Sequence, residues 1–81
     1  MKVIAVERIQ KIAFLFQLIR RGNTGDPRDL CQRMGIAERT LYKYIDELKS
    51  YGADISFDRT AHTYRLENRF DMRVEVRTGQ G

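Results

Sequence analysis

Cysteine and histidine occur once each, as Cys31 and His62, and this scarcity excludes several kinds of site. A lone cysteine forms no intrachain disulfide and has no cysteine partner for a zinc site, which suits a reducing cytoplasm. His62 has no nearby cysteine or serine nucleophile with which to form a catalytic triad. The sequence also lacks a phosphate-binding loop motif and a metal-ligand cluster. We therefore expect a protein that is not an enzyme and that binds no cofactor or metal.

Long apolar runs are also missing. No run approaches the ~20 residues that span a bilayer, and residues 1–10 carry Glu7 and Arg8 where a secretion signal is apolar. The chain has 81 residues, which is enough for one domain and too few for a deep cleft between lobes. We expect a stand-alone cytoplasmic domain at residues 1–77, followed by a loose tail at residues 78–81.

The basic excess is concentrated at the start of the chain. The net charge is +4 and the isoelectric point is about 9.6, which permits an anionic partner. Residues 1–21 carry five basic side chains and one acid, whereas residues 22–81 carry ten of each. The overall charge is therefore weak evidence that any later helix binds nucleic acid.

Three stretches have the spacing of amphipathic helices. The first helix is predicted at residues 4–21, where apolar residues recur at helical intervals. The second begins at Asp26, a good N-cap, and ends at Gly35, while the third runs from about Glu38 to Tyr51. Two short helices joined by a tight turn containing glycine make a helix-turn-helix. The predicted inward residues of the first and third helices are Ala5, Ile9, Ile12, Phe16, Ile19, Leu41, Ile45 and Leu48.

After the third helix, the apolar period changes from 3.6 to 2. Residues 54–57 and 63–66 alternate, and residues 58–62 between them predict the loop of a β-hairpin. A third alternating run at residues 70–76 predicts a half-buried strand. The predicted fold class is therefore α+β, a winged helix-turn-helix with three helices, a hairpin wing and an additional C-terminal strand. Ile55 and Phe57 are expected to share one face of the hairpin with Tyr64 and Leu66.

Three parts of the chain together form a recognisable pattern: GIAERTLYKYIDEL at 35–48, DLCQRMG at 29–35, and YGADISFDR at 51–59 with YRL at 64–66. They resemble, in turn, the recognition helix, the preceding helix and the wing of the type 11 helix-turn-helix family, the N-terminal DNA-binding domain of bacterial regulators that carry a WYL domain. The resemblance covers roughly residues 5–66 and implies binding to double-stranded DNA in transcription regulation.

The chain departs from the family pattern at three places. Ala37 stands where the family usually has a serine that caps the recognition helix. Glu38 occupies a position that is often basic or small and polar, and the wing tip has Ala61 and His62 where glycines are common. These departures concern affinity and sequence specificity more than the fold.

The third helix is expected to place its N-terminal half in the major groove. Steps of 100° per residue put Arg39, Thr40, Lys43, Glu47 and Ser50 opposite the apolar stripe. Arg39 has the fork that binds guanine, and Lys43 reaches guanine or a phosphate. Thr40 and Tyr42 donate to phosphate oxygens. The alternatives are that Arg39 and Lys43 are only solvated, that Lys43 pairs with Glu47 four residues on, and that Tyr42 packs against the wing.

Two further basic residues are candidates for contacts with DNA. Arg59 lies in the wing loop, within reach of a neighbouring backbone or minor groove, although an arginine in a hairpin loop is more often only solvated. Arg28 lies at the start of the second helix, where free N–H groups favour a phosphate.

The first helix has more apolar surface than a single core needs. Phe14 and Leu18 project away from Ile12 and Phe16, so this surface requires a cover. The cover is either the strand at residues 70–76 or another protomer, and we expect a homodimer. The candidate interface residues are Phe14, Leu18, Phe70, Met72, Val74 and Val76.

Two other functions stay open beside DNA binding. A winged helix also serves as a protein-interaction module without a DNA surface, which the neutral charge of residues 22–81 and Glu38 favour. RNA binding is a minor third possibility. The register of Arg39, Thr40 and Lys43 favours duplex DNA.

Overall fold

The computed structural model describes residues 3–71, which form three helices and one hairpin in an α+β arrangement. This order is consistent with a winged helix-turn-helix and confirms the predicted fold class. The elements are α1 (Val3–Arg21), α2 (Pro27–Met34), α3 (Glu38–Ser50), β1 (Ile55–Asp58) and β2 (Thr63–Leu66).

The predicted C-terminal strand is not observed in the part of the chain that the structure describes. Phe70, its first residue, is not part of a strand. Met72, Val74 and Val76 lie outside the described residues. Within residues 3–71, no helix combines the length and the apolar composition required to cross a membrane.

The turn between α2 and α3 has the backbone geometry that its sequence predicts. Gly35 adopts a left-handed conformation with φ of 69°, and its N–H donates to the carbonyl of Gln32. The N–H of Ile36 donates to the carbonyl of Cys31 at 3.0 Å, which closes the end of α2. Ala37 is the N-cap of α3 and provides no side-chain hydrogen bond.

The core lies where the three helices and the hairpin meet. One predicted member is wrong, because Ile9 is 41% exposed, while Leu15 is fully buried. Since α1 packs against both β2 and α3, its inward face includes Leu15. Cys31 is buried, and burial raises the pKa of its thiol, with a smaller effect from Glu38. The buried apolar residues are Ile12, Leu15, Phe16, Ile19, Leu30, Cys31, Leu41, Tyr44, Ile45, Leu48, Ala53, Ile55 and Tyr64.

The hairpin puts the four apolar residues on one face, as the alternation predicts. Ile55 pairs with Leu66, and Phe57 pairs with Tyr64 in an antiparallel arrangement. The rings of Phe57 and Tyr64 meet edge to face, with centroids 5.0 Å apart. Asp58 ends β1, and its carboxylate accepts hydrogen bonds from backbone N–H groups of the following turn.

Candidate nucleic-acid interface

The exposed side of α3 presents two basic side chains. Arg39 and Lys43 lie four residues apart, about one helical turn, and both are exposed. Within residues 3–71, neither side chain makes an ion pair or a hydrogen bond. Both are therefore accessible to a partner on this side of the molecule.

Glu47 does not lie on the exposed face of α3, where helical spacing places it. Its side chain is only 19% exposed, and its carboxylate forms an ion pair with Arg8 of α1. The Tyr51 hydroxyl donates a hydrogen bond to the same carboxylate at 2.6 Å, which raises the pKa of Tyr51. The predicted pair between Lys43 and Glu47 is consequently wrong for the described residues, because Glu47 sits on the flank of α3 that faces α1.

Thr40 and Tyr42 lie on opposite flanks of α3. Thr40 is half-buried, while Tyr42 is 46% exposed. The hairpin residue Tyr64 has a pKa raised to about 12, mainly by burial and further by Tyr42, Cys31 and Glu38. Tyr42 keeps nearly half of its surface in solvent.

Acidic side chains bound the basic part of α3 on both sides. Glu38 is exposed in the first turn, and Asp46 is exposed one turn after Tyr42. A carboxylate close to a phosphate is repelled, and the repulsion is strongest where water is excluded. The charge pattern therefore restricts contact with a polyanion to the segment from Arg39 to Lys43.

The wing turn is joined to the start of α2. The His62 ring nitrogen Nδ1 and the Asp26 carboxylate are 3.0 Å apart. Asp26 occupies the N-cap position as predicted, but its side chain makes no capping hydrogen bond and contacts His62 instead. The contact brings the turn that carries Arg59 next to the first turn of α2, which carries Arg28.

Arg28 and Arg59 are both exposed, and neither makes an ion pair within the described part of the chain. They belong to the end of the domain at which the wing turn meets α2. The Asp26 carboxylate lies at the same helix start and opposes the approach of an anion there. The sequence contains no signal for this contact, because the two residues are 36 positions apart.

The candidate dimer residues divide into two groups. Phe14 is 48% exposed, on the side of α1 opposite Ile12 and Phe16, and it lines an open pocket with Arg33 and Met34 of α2. Leu18 and Phe70 are partly buried against the core, and the Phe70 ring meets the Phe16 ring edge to face at 5.7 Å. Residue 70 of the same chain therefore covers part of the apolar surface of α1, whereas Phe14 stays uncovered.

Two residues of this region were missed by sequence reasoning. Arg8 and Tyr51 hold Glu47, and the contact between Arg8 and Glu47 joins residues 39 positions apart. Helical spacing gave no signal for this contact, because it places Glu47 opposite the apolar stripe.

Comparison of the chain with protein-family models, with curated proteins and with solved structures finds no match. The resemblance to the type 11 helix-turn-helix family stays a prediction. Among residues 3–71, no group of three histidine, cysteine, aspartate or glutamate side chains is placed to hold a metal ion. Function is therefore inferred from the side chains described above.

Proposed function

We propose that this protein is a cytoplasmic transcription regulator that binds duplex DNA with α3 in the major groove. The observation that carries the proposal is the state of Arg39 and Lys43, which are exposed one turn apart and make no ion pair within residues 3–71. In a helix-turn-helix, the second helix of the motif reads base edges with the side chains of its N-terminal half. Both residues lie in that half of α3.

Each basic residue of α3 has a role that its chemistry supports. The planar guanidinium of Arg39 donates two parallel hydrogen bonds to O6 and N7 of guanine. Lys43 binds guanine or a phosphate oxygen as a point charge. Thr40 and Tyr42 donate to phosphates and set the register. Asp46 limits how far α3 enters the major groove, because the phosphates of the DNA backbone repel its exposed carboxylate.

The end of the domain where the wing turn meets α2 supplies contacts that do not depend on the DNA sequence. Arg59 in the wing turn reaches a neighbouring phosphate or the minor groove, and Arg28 reaches a second phosphate. The contact between His62 and Asp26 supports this role, since it holds the two arginine-bearing segments together. The resemblance of residues 35–48 to a recognition helix supports the same function.

The test is fluorescence anisotropy with a labelled duplex of mixed sequence across a salt series. Displacement of counterions by basic side chains predicts an affinity that falls steeply and linearly on a double logarithmic plot. Arg39→Ala is expected to weaken binding by about 1–3 kcal/mol and to relax specificity at one base position. Lys49→Ala is the matched control, because Lys49 is an exposed base in the last turn of α3.

Several outcomes contradict the proposal. The first is an absence of duplex binding at low salt. The second is an equal loss of affinity in Arg39→Ala and Lys49→Ala, which indicates general charge attraction instead of α3 in the groove. A loss in Arg39→Ala without relaxed specificity changes its role from base reading to phosphate contact.

A second candidate function is a protein-interaction module. The observation that favours it is the exposed ring of Phe14, a large apolar group on the outer side of α1. The neutral charge of residues 22–81 also favours it. The anisotropy experiment separates the two candidates, because an interaction module has no duplex affinity that depends on salt.

A further inference from the structure

The outer side of α1 carries a line of exposed residues at intervals of seven. Glu7, Phe14 and Arg21 recur along this line, and all three side chains are exposed. A seven-residue interval keeps side chains on one face of a helix with a drift of only ~20° per repeat. The line runs on the opposite side of α1 from Ile12 and Phe16, which are buried in the core.

The centre of this line is apolar and its ends are charged. Phe14 is 48% exposed, and the half-buried Leu18 lies one turn further along. Glu7 and Arg21 make no ion pair with any residue in the range 3–71. An apolar centre with unpaired charges of opposite sign at its two ends is a surface that complements itself.

The charge order selects one arrangement of two such surfaces. When two copies of α1 pack antiparallel about Phe14, Glu7 lies opposite Arg21 of the partner subunit at both ends. A parallel pair places like charges opposite each other at both ends. Like charges that face each other across an interface are unfavourable.

The positions between the centre and the ends are also compatible with the antiparallel arrangement. Lys11 lies beside Leu18 of the partner subunit and covers it with its methylene stem, while Gln10 lies beside Gln17 of the partner subunit. No pair of facing α1 side chains places like charges together. Arg33 and Met34 of α2 border the same face.

We infer that this protein forms a homodimer through an antiparallel pair of α1 helices centred on Phe14. The two-fold axis passes between the two Phe14 rings, so each copy uses the same residues, as in an isologous interface. The dimer explains why Phe14 is exposed in the single chain. It does not depend on DNA binding, although a two-fold axis also suits paired half-sites.

The interface is small, since one helix face from each copy contributes to it. Stable interfaces bury ~1,200–2,000 Å² in total, so the dimer is expected to be weak and to depend on concentration. Sedimentation equilibrium of the full chain without DNA therefore needs a wide range, from roughly 10 µM to 1 mM. The wild type is expected to change from monomer to dimer within that range.

Charge reversal tests the pairing directly. Glu7→Arg and Arg21→Glu each create like-charge pairs at both ends, and each is expected to raise the dissociation constant roughly tenfold. The double reversal restores opposite charges, so it is expected to recover wild-type association. Lys49→Glu is the matched control, because Lys49 is exposed on α3, away from this face.

Cysteine cross-linking tests the direction of the helices. Phe14→Cys is expected to form a disulfide-linked dimer with itself on mild oxidation. Glu7→Cys is expected to cross-link to Arg21→Cys in a mixture and not to itself. Cys31 is buried and does not interfere.

Four results overturn the inference. One is a wild type that stays monomeric at every concentration. Another is a dimer that Phe14→Glu leaves intact, which places the contact elsewhere. The third is self-linkage of Glu7→Cys, and the fourth is a double reversal that associates as weakly as the single ones. Because none of these measurements contains DNA, failure here is distinct from failure of the proposed function.

Discussion

The hydroxyl groups of Thr24 and Thr63 lie 3.2 Å apart in the interior of the domain. The backbone N–H of Thr24 donates to the Thr63 hydroxyl at 3.0 Å, and the backbone N–H of Tyr64 donates to the Thr24 hydroxyl at 2.9 Å. The two residues are 0% and 4% exposed, so water does not replace these bonds. They fasten the loop between α1 and α2 to the start of β2 and thereby hold the wing against the helices.

Thr63→Val is expected to lower the free energy of unfolding by about 1–3 kcal/mol, because it leaves the buried N–H of Thr24 without an acceptor. Urea denaturation followed by circular dichroism measures the change. Thr60→Val is the matched control, since Thr60 is exposed and only its backbone is hydrogen bonded. Equal effects of the two substitutions contradict this role of Thr63.

Ala37→Ser is expected to stabilise the protein by about 1 kcal/mol, because a serine at the N-cap accepts a hydrogen bond from a free N–H of α3. The backbone of Ala37 is already extended, with φ of −80° and ψ of 158°, as a capping residue requires. Thermal unfolding measures the gain. Ala61→Ser, in the exposed wing turn, is expected to leave the melting temperature unchanged. A gain in both variants rejects capping as the cause.

Tyr64→Phe is expected to reduce the loss of folding stability at high pH. Burial raises the pKa of Tyr64 to about 12, from an ordinary value of 10.0. The unfolded chain therefore releases this proton first, so the stabilisation is complete below pH 10 and is lost as the pH rises towards 12.

Urea denaturation between about pH 9 and about pH 12 tests this prediction, because that range includes the pKa of Tyr64 in the unfolded and in the folded chain. The Tyr64 hydroxyl makes no hydrogen bond within residues 3–71, so Tyr64→Phe is expected to leave stability at neutral pH nearly unchanged. Tyr42→Phe is the control, since Tyr42 is half exposed. If Tyr64→Phe loses as much stability at high pH as the wild type does, Tyr64 is not the source of that loss.

Arg8→Ala is expected to weaken DNA binding about two- to fivefold at low salt, because it releases Glu47 to compete for Lys43. Arg8 pairs with the Glu47 carboxylate, which also accepts a hydrogen bond from the Tyr51 hydroxyl. Adding Glu47→Gln to Arg8→Ala is expected to restore most of the affinity, and anisotropy measures both variants. If Glu47→Gln rescues Lys49→Ala equally well, the effect is one of net charge and the specific role of Arg8 is rejected.

Local patterns were sufficient to predict the elements and the turn of the helix-turn-helix. Gly35 ends α2 in a left-handed conformation, which is strained for a residue with a Cβ. A glycine after an apolar helical pattern therefore predicts this helix end from the sequence. The face that Phe57 shares with Tyr64 was also predictable, since a period of two puts alternate side chains of each strand on one side. Arg39 and Lys43 were predictable as exposed from helical spacing.

Contacts between distant segments were not predictable, because helical and strand periods say which face is apolar and not what packs on it. Ile9 has the right spacing for the core and is exposed, since α1 packs against both β2 and α3 with an inward face that includes Leu15. Glu47 has the spacing of a partner for Lys43, but Arg8 lies closer. Asp26 has the identity of a cap, but the wing turn offers it His62.

The sequence by itself determined three helices, a hairpin and a basic N-terminal half of α3, because short-range sterics and apolar periodicity decide these features. Only the tertiary structure decided which charges in that region stay unpaired. Lys43 is unpaired within residues 3–71 because folding brings Arg8 of α1 to Glu47, across 39 positions of chain. Packing also left Phe14 exposed while Phe70 covered Phe16. The physical reason is the same in both cases, since an ion pair or an apolar contact depends on distance in space, which periodicity along the chain does not encode.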